Sequence, residues 1–574
     1  MRDYRERGNR VRKHRQSYLP VLIAVVLIII VIIISLLNGF FDEIAPSGTG
    51  KEADLNAVFG VTSQTEAAII YNKELSDQKA LYVNGGFFLP ISMANDLADI
   101  FYYDQVENRL FATTASASNE ASPSDFILNG DTVCVSPAFI RKFANFSFET
   151  AENPQRIFIQ TEWGQKNTAT ATKKAYLKAA EDNRSDNLRK LEEGEVIEII
   201  SSNTAFSKCI TEDHLIGYVD NKRLEGHSSQ EEAVVNDVPP ITYPAPLMQG
   251  NIVLGWHNVT NDTANSMLSD VLARVHGMNV ICPTWFTISD NEGNVTSIAS
   301  ESYVSQAHQA GLKVWGLLDN FTGEADTEAV LSRTTTRRNL ESRIVNLALQ
   351  YGLDGINIDF EQLPATAGDD FAQFLRELSI ICHSQNLVLS SDNYVPKEYT
   401  NYYRRDIQGR VCDYLIIMGY DEHTSNSGEA GSVASISFVT EGIVNTLKDV
   451  PAQKVINGIP FYTRRWALEN GVLSSAVLSM SDAATFLSDN GVSASWDDTT
   501  CQNMAVFEKN GVTHSIWLED SQSISAKLSV MKNNNLAGVA CWRLLMETPD
   551  IWDVISAYYP VSAEASIPSA EAAK

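Results

Sequence analysis

Between residues 251 and 560, short apolar runs alternate with longer amphipathic ones. The short runs lie at 251–257, 279–286, 313–320, 355–361, 387–392, 414–420, 454–460 and 538–544. They are rich in branched and aromatic residues and predict eight strands. Amphipathic stretches such as 371–382 predict helices between them. Strand and helix in regular alternation predict an α/β fold with a parallel sheet, and eight such units predict a closed (β/α)8 TIM barrel. The longest gap separates the seventh and eighth strands. It holds turn residues and short alternating runs such as Met504 to Phe507, which predicts a small α+β insertion forming one wall of a groove.

In one strand the alternation isolates polar groups. Along Asp354-Gly355-Ile356-Asn357-Ile358-Asp359-Phe360-Glu361, the side chains of Asn357, Asp359 and Glu361 share one face, and Ile356, Ile358 and Phe360 take the other. Gly352 before the strand suits a helix stop, while Pro364 and Gly368 mark a loop after it. That context argues against a strand end with solvated carboxylates. Buried polar groups are costly unless they are partnered or used. Two neighbouring carboxyls do not ionise independently, so one can stay protonated near neutral pH, as acid catalysis requires. In a parallel barrel the chemistry sits at the C-terminal strand ends, where Glu361 falls.

Upstream the pattern changes. Residues 1–17 are basic, with Arg2, Arg5, Arg7, Arg10, Arg12, Lys13 and Arg15, and read as a cytoplasmic tail. Residues 18–38 are almost wholly apolar and long enough for one transmembrane helix, with the basic flank held inside and the C-terminal domains extracellular. A cleaved signal followed by secretion is the alternative. Residues 39–78 read as a polar stalk. Alternating runs over 79–165 predict a small α+β domain, and those over 170–226 a second, β-rich one. A linker rich in Ser, Glu and Pro spans 227–246, the barrel 247–560, and a disordered tail of Ala, Ser, Pro and Glu 561–574.

A net charge of −27 excludes a nucleic-acid partner, since backbone binding needs a basic face. The seven cysteines form no CxxC pair and no metal-ligand spacing. Cys282, Cys412 and Cys541 fall in apolar runs and read as packing residues. No metal and no cofactor is expected.

The stretch 354–361 resembles the DGxDxDxE signature of glycoside hydrolase family 18, the chitinase-like family, with Asn357 where its commonest form has Asp. Met418-Gly419-Tyr420-Asp421 resembles the family's Met-x-Tyr-Asp motif, and the continuation Glu422-His423 is similar to its spore and cell-wall lytic branch. The resemblance implies Glu361 as proton donor and then base, and Asp359 as the group orienting the substrate's acetamido arm. It implies the Tyr420 hydroxyl holding the acetamido carbonyl, Asp421 shaping the sugar pocket, and Trp542 forming its floor. Trp256 and Tyr462 are candidate walls or core residues, and His257 and His423 candidate polar lining. Asn357 cannot titrate, and its amide is expected to donate to Asp359.

Two smaller resemblances complete the reading. Val83 to Ile91 is similar to the N-terminal stalk module of some copper amine oxidases, with no copper implied. Leu191 to Ile200 and Ile216 to Val219 resemble a bacterial SH3-like domain, a module that can bind wall polymer. Asp359 and Glu361 lie on one strand and cannot flank a sugar from opposite sides. The family's substrate-assisted route, in which the 2-acetamido oxygen attacks the anomeric carbon, is therefore expected. The expected substrate is an N-acetylglucosamine-containing polysaccharide of the bacterial cell wall, namely peptidoglycan, with chitin or chitooligosaccharides as the alternative. A non-catalytic wall-sugar-binding surface protein stays open as a different class of function.

Overall fold

The computed structural model describes residues 19–37 and 48–561. The basic tail expected over 1–17 lies outside the described residues, as does the tail from 562 onward. Leu19–Leu37 forms one helix of 19 residues. Side chains are described for residues 21–34 of it, all apolar and exposed. Among the described residues no helix is long and apolar enough to cross a membrane, so the span expected over 18–38 rests on its sequence.

The chain divides into two compact units, the second comprising residues 100–122 and everything from 240 on. The first unit carries two seven-stranded sheets. One contains Glu66–Tyr71, whose residues Ala67 to Ile70 are fully buried. The polar stalk expected over 39–78 is therefore corrected from Asp54 onward. Asp54 caps the short helix Leu55–Phe59, and a buried strand follows. The other sheet runs from Gln165 to Glu231 around a core that includes Leu177, Ile197 and Val219. Its last strand, Leu224–Glu231, pairs antiparallel with Gln165–Ala171. The first residues of the expected linker 227–246 are thus strand, their backbone groups satisfied by a neighbour.

The second unit is the barrel. Its strands are β1 (Ile252–His257), β2 (Val280–Ile288), β3 (Lys313–Asp319), β4 (Gly355–Asp359), β5 (Val388–Tyr394), β6 (Tyr414–Met418), β7 (Val455–Pro460) and β8 (Gly538–Trp542). Each pairs in parallel with its neighbours, and β1 joins both β2 and β8, which closes the cylinder. Closure leaves no exposed edge. Alternation sorts the side chains. Ile356, Ile358 and Phe360 enter the layer against the outer helices, while Trp256, Cys282, Leu317 and Ile416 pack inside the cylinder. Trp315 stacks on Tyr414 there, with centroids 5.8 Å apart. Between β7 and β8 stands a five-stranded antiparallel sheet running from Tyr462 to Trp517, with the helix Met480–Asp489.

Residues 100–122 belong to the barrel unit, which corrects the continuous domain expected over 79–165. They form a three-stranded sheet against two barrel helices, α1 (Thr334–Tyr351) and α2 (Gly368–Ser384). Asp104 accepts hydrogen bonds from the Thr334 amide and hydroxyl, both at 2.6 Å, and so caps α1. Tyr102 donates to Asp370 at 2.6 Å, and Ser118 to Glu377 at 2.9 Å. Glu377 also holds Arg337 in a fully buried pair at 2.8 Å. The partners that join residues 100–122 to the helices are polar groups more than 200 residues apart in sequence. No local pattern reveals such a contact.

Candidate active site

The C-terminal ends of the strands surround a cleft of about 160 Å³, lined by residues including Trp256, Phe321, Asp359, Glu361, Asp392, Tyr394, Tyr420, Asp421 and Trp542. Most of the residues singled out from the sequence meet here. Tyr462 and Asn357 do not line the cleft but stand behind it.

β4 ends at Asp359, and Glu361 begins the following loop. Asn320, in the loop after β3, grips the Glu361 backbone twice. Its Oδ1 accepts from the Glu361 amide at 3.0 Å, and its Nδ2 donates to the Glu361 carbonyl at 2.9 Å. The carboxylate is held from β5, where the Tyr394 hydroxyl donates to Glu361 Oε2 at 2.6 Å. Burial raises the pKa of Glu361, the Tyr394 hydrogen bond pulls it back, and the negative charge of Asp421 raises it. The net direction is upward, toward the protonated form that an acid needs.

Asp359 is 7% exposed, and its Oδ1 has no hydrogen-bond partner. Burial first, then the charges of Asp392, Glu361 and Asp319, hold its carboxyl well above the usual range. The donor expected for it from Asn357 points elsewhere. Asn357 Nδ2 donates to Asp392 Oδ1 at 2.9 Å and to Ser390 Oγ at 3.0 Å. Its Oδ1 accepts from the Trp256 indole at 3.2 Å. The correction has a geometric cause: Asn357 and Ser390 are register partners on adjacent strands, so the amide meets β5 across the ladder. Neither Asp392 nor Tyr394 belongs to the sequence motifs that mark the site. The run 388–394 does alternate, and its polar positions Ser390, Asp392 and Tyr394 were the available signal.

Three aromatic rings meet at the base. Trp256 packs edge-on against Trp542 at 6.0 Å and against Tyr420 at 6.4 Å. Trp256 is 1% exposed, so it is both core and cleft floor. Tyr462 is buried, and its hydroxyl donates to Asp421 at 2.5 Å, making it a support for Asp421 and not a wall. Asp421 sits at φ +59°, in the left-handed region, at the turn that brings it into the cleft.

The two candidate polar lining residues stand apart. His257 is buried against the Tyr303 hydroxyl at 2.7 Å, and burial together with the positive charge of Arg543 lowers its pKa to about 4. His423 Nδ1 bonds the Ser432 carbonyl at 2.8 Å. Glu422 accepts from the amide and hydroxyl of Ser435, the capping residue of the helix Ile436–Thr446. In the Asp-Glu-His sequence, then, Asp421 faces the cleft while Glu422 and His423 fix the loop behind it.

An acid held at a strand end, a second carboxyl buried beside it and an aromatic floor fit a sugar carrying a polar arm. Residues 256–547 match the family model described as glycosyl hydrolases family 18. The Bacillus subtilis protein YdhD is 31% identical over 236 residues, which are 39% of this chain and 54% of that protein. The cortical fragment-lytic enzyme of Bacillus subtilis is 28% identical over 242 residues, 40% of this chain and 56% of that enzyme. The chain thus spans about half the length of these two curated relatives. The crystal structure of the Bacillus cereus spore cortex-lytic enzyme SleL is 21% identical with a TM-score of 0.50, covers 58% of this chain and 79% of its own, and shares the fold.

Proposed function

Because this chain belongs to glycosyl hydrolases family 18, a family of glycosidases, we propose that it cleaves peptidoglycan at N-acetylglucosamine by substrate-assisted retaining catalysis. The observation that carries the reading is Glu361, held by Asn320 and Tyr394 with its pKa raised, beside the buried carboxyl of Asp359. Glu361 protonates the leaving oxygen while the substrate's own acetamido oxygen attacks the anomeric carbon. Asp359 faces the positive charge that forms on the acetamido group. Glu361, now ionised, takes a proton from the water that opens the ring intermediate. Tyr420 holds the acetamido carbonyl, Asp421 shapes the sugar pocket, and the face of Trp542 lies under the pyranose.

Cell-wall peptidoglycan is favoured over chitin because one of the relatives is named for lysis of cortical fragments. The exported topology read from residues 1–38 agrees with that choice. In this reading the apolar stretch 18–38 anchors the chain with its barrel outside the cell. The sheet over 165–231, which carries the SH3-like sequence, contacts wall polymer. Protease added to intact cells removes the barrel under this topology, and protection until lysis contradicts it.

Digestion of purified peptidoglycan and of chitooligosaccharides by the full-length chain, with products weighed by mass spectrometry, tests the substrate. Release of wall fragments ending in N-acetylglucosamine is expected. Cleavage of chitooligosaccharides alone makes it a chitinase, and binding without cleavage of either makes it a sugar-binding protein.

A further inference from the structure

The catalytic strand carries one carboxyl fewer than its family's usual pattern, since Asn357 replaces an Asp. A carboxyl nevertheless stands beside it, on the next strand. In the parallel register of β4 and β5, Asn357 faces Ser390 and Ile358 faces Ser391. Continued by one residue, the register sets Asp359 beside Asp392. Both side chains line the cleft, at 7% and 3% exposure. Adjacent strands lie about 4.8 Å apart, close enough for two inward carboxyls to interact strongly.

We propose that Asp392 is the proton partner of Asp359, the carboxyl that the family pattern carries at position 357 having moved one strand across. This inference rests on the functional reading above. The hydrogen bonds decide where the proton lies at rest. Asp392 Oδ1 accepts from Asn357 Nδ2, which favours its ionised form, whereas Asp359 Oδ1 receives no donor. Asp359 therefore holds the proton and Asp392 the charge. As positive charge develops on the acetamido group, the proton passes from Asp359 to Asp392. One O–H bond breaks, one forms, and the negative charge moves to the carboxyl facing the substrate. The return transfer restores the resting state, with nothing gained or lost.

The groups around the pair are consistent with this. Glu361 in the loop after β4 and Asp319 on β3 add negative charge beside Asp359. Cys282 on β2 and Tyr420 just past the end of β6 are both held neutral by burial and by the charges of Asp392 and Asp359. Among the described residues no cation offsets the pair, so burial raises both carboxyls, and at Asp392 the Asn357 hydrogen bond opposes it.

Asp392 is thus a positioning residue that acts through Asp359, and exchange of the two side chains tests it. Asp392→Asn in the full-length chain is expected to lower kcat about 100-fold, the lower end of a lost proton-transfer group, with KM nearly unchanged and a shifted pH profile. The double variant Asn357→Asp with Asp392→Asn restores the carboxyl at the family's position and is expected to regain at least about tenfold of that loss. A single variant with wild-type kcat and pH profile overturns the proposal, as does an exchange no better than the single variant. A titration that needs no substrate separates this from the functional reading. With 13C-labelled Asp carboxyls in the unaltered chain, Asp359 and Asp392 are expected to titrate in two coupled steps. Independent titration overturns the coupling, whereas coupled titration in a chain that hydrolyses no N-acetylglucosamine polymer overturns the activity alone.

Discussion

Tyr394→Phe removes one hydroxyl and leaves the ring in place. In the structure that hydroxyl accepts from the Gln362 amide at 3.3 Å and donates to Glu361 Oε2 at 2.6 Å. It supplies the hydrogen bond that pulls the Glu361 pKa down against burial and the Asp421 charge. A hydrogen bond to a charged group contributes roughly 1.5–3 kcal/mol. A tenfold change in an equilibrium takes about 1.4 kcal/mol, so the lower figure corresponds to about one pH unit. Loss of the donor destabilises the carboxylate and leaves the acid form unharmed, so the folded protein keeps its proton to higher pH. The alkaline limb of kcat/KM reports loss of the acid's proton from the free enzyme. It is expected to move up by about one pH unit in Tyr394→Phe. At the wild-type optimum the rate is expected to fall roughly tenfold, because the carboxyl has lost the hydroxyl that holds it in position. The assay is initial-rate hydrolysis of an N-acetylglucosamine oligomer across pH, with folding checked by circular dichroism. A folded variant whose alkaline limb stays in place, or moves down, refutes the assignment of Glu361 as the acid tuned by Tyr394.

Asp359→Asn is expected to abolish hydrolysis yet stabilise the barrel at neutral pH. The folded pKa of Asp359 lies above its unfolded value, so its contribution to stability is complete below about pH 4 and is lost as pH rises toward the folded pKa. Denaturant unfolding should show a gain of about 1.4 kcal/mol for each pH unit over which the native carboxyl keeps its proton, and little change at pH 4; equal effects at both pH values contradict the buried protonated acid. Arg337→Met leaves Glu377 buried with its main partner gone and is expected to cost about 3–5 kcal/mol in the same measurement, unless Glu377→Gln is added to relieve it.

The barrel was legible because β-period and helix-period runs alternate along the chain, and the signature strand because alternation put three polar groups on one face. The register across strands was not legible. The sequence sets Asn357 beside Asp359 along the same strand, whereas its amide meets Asp392 and Ser390 on β5. Tyr394 is hidden for the same reason, since nothing local ties it to Glu361. Residues 100–122 show a further limit. Their strands are ordinary in sequence, and contacts such as Asp104 at the start of α1, Tyr102 on Asp370 and Ser118 against Glu377 reveal that they belong to the barrel. From its position after β7 Tyr462 reads equally as a cleft wall or a core residue, and only its hydroxyl bond to Asp421 separates the two.

The central claim is that Glu361 cleaves a glycosidic bond with the help of the substrate's own acetamido group. The most direct test compares the full-length chain and its Glu361→Gln variant on an N-acetylglucosamine oligomer and on the same oligomer after removal of its N-acetyl groups. The account predicts rapid cleavage of the acetylated oligomer with retention at the anomeric carbon, no cleavage of the deacetylated one, and a loss of at least about 10²–10⁴-fold in Glu361→Gln with binding preserved. Equal cleavage of both oligomers, or near-normal turnover by a folded Glu361→Gln protein, contradicts it.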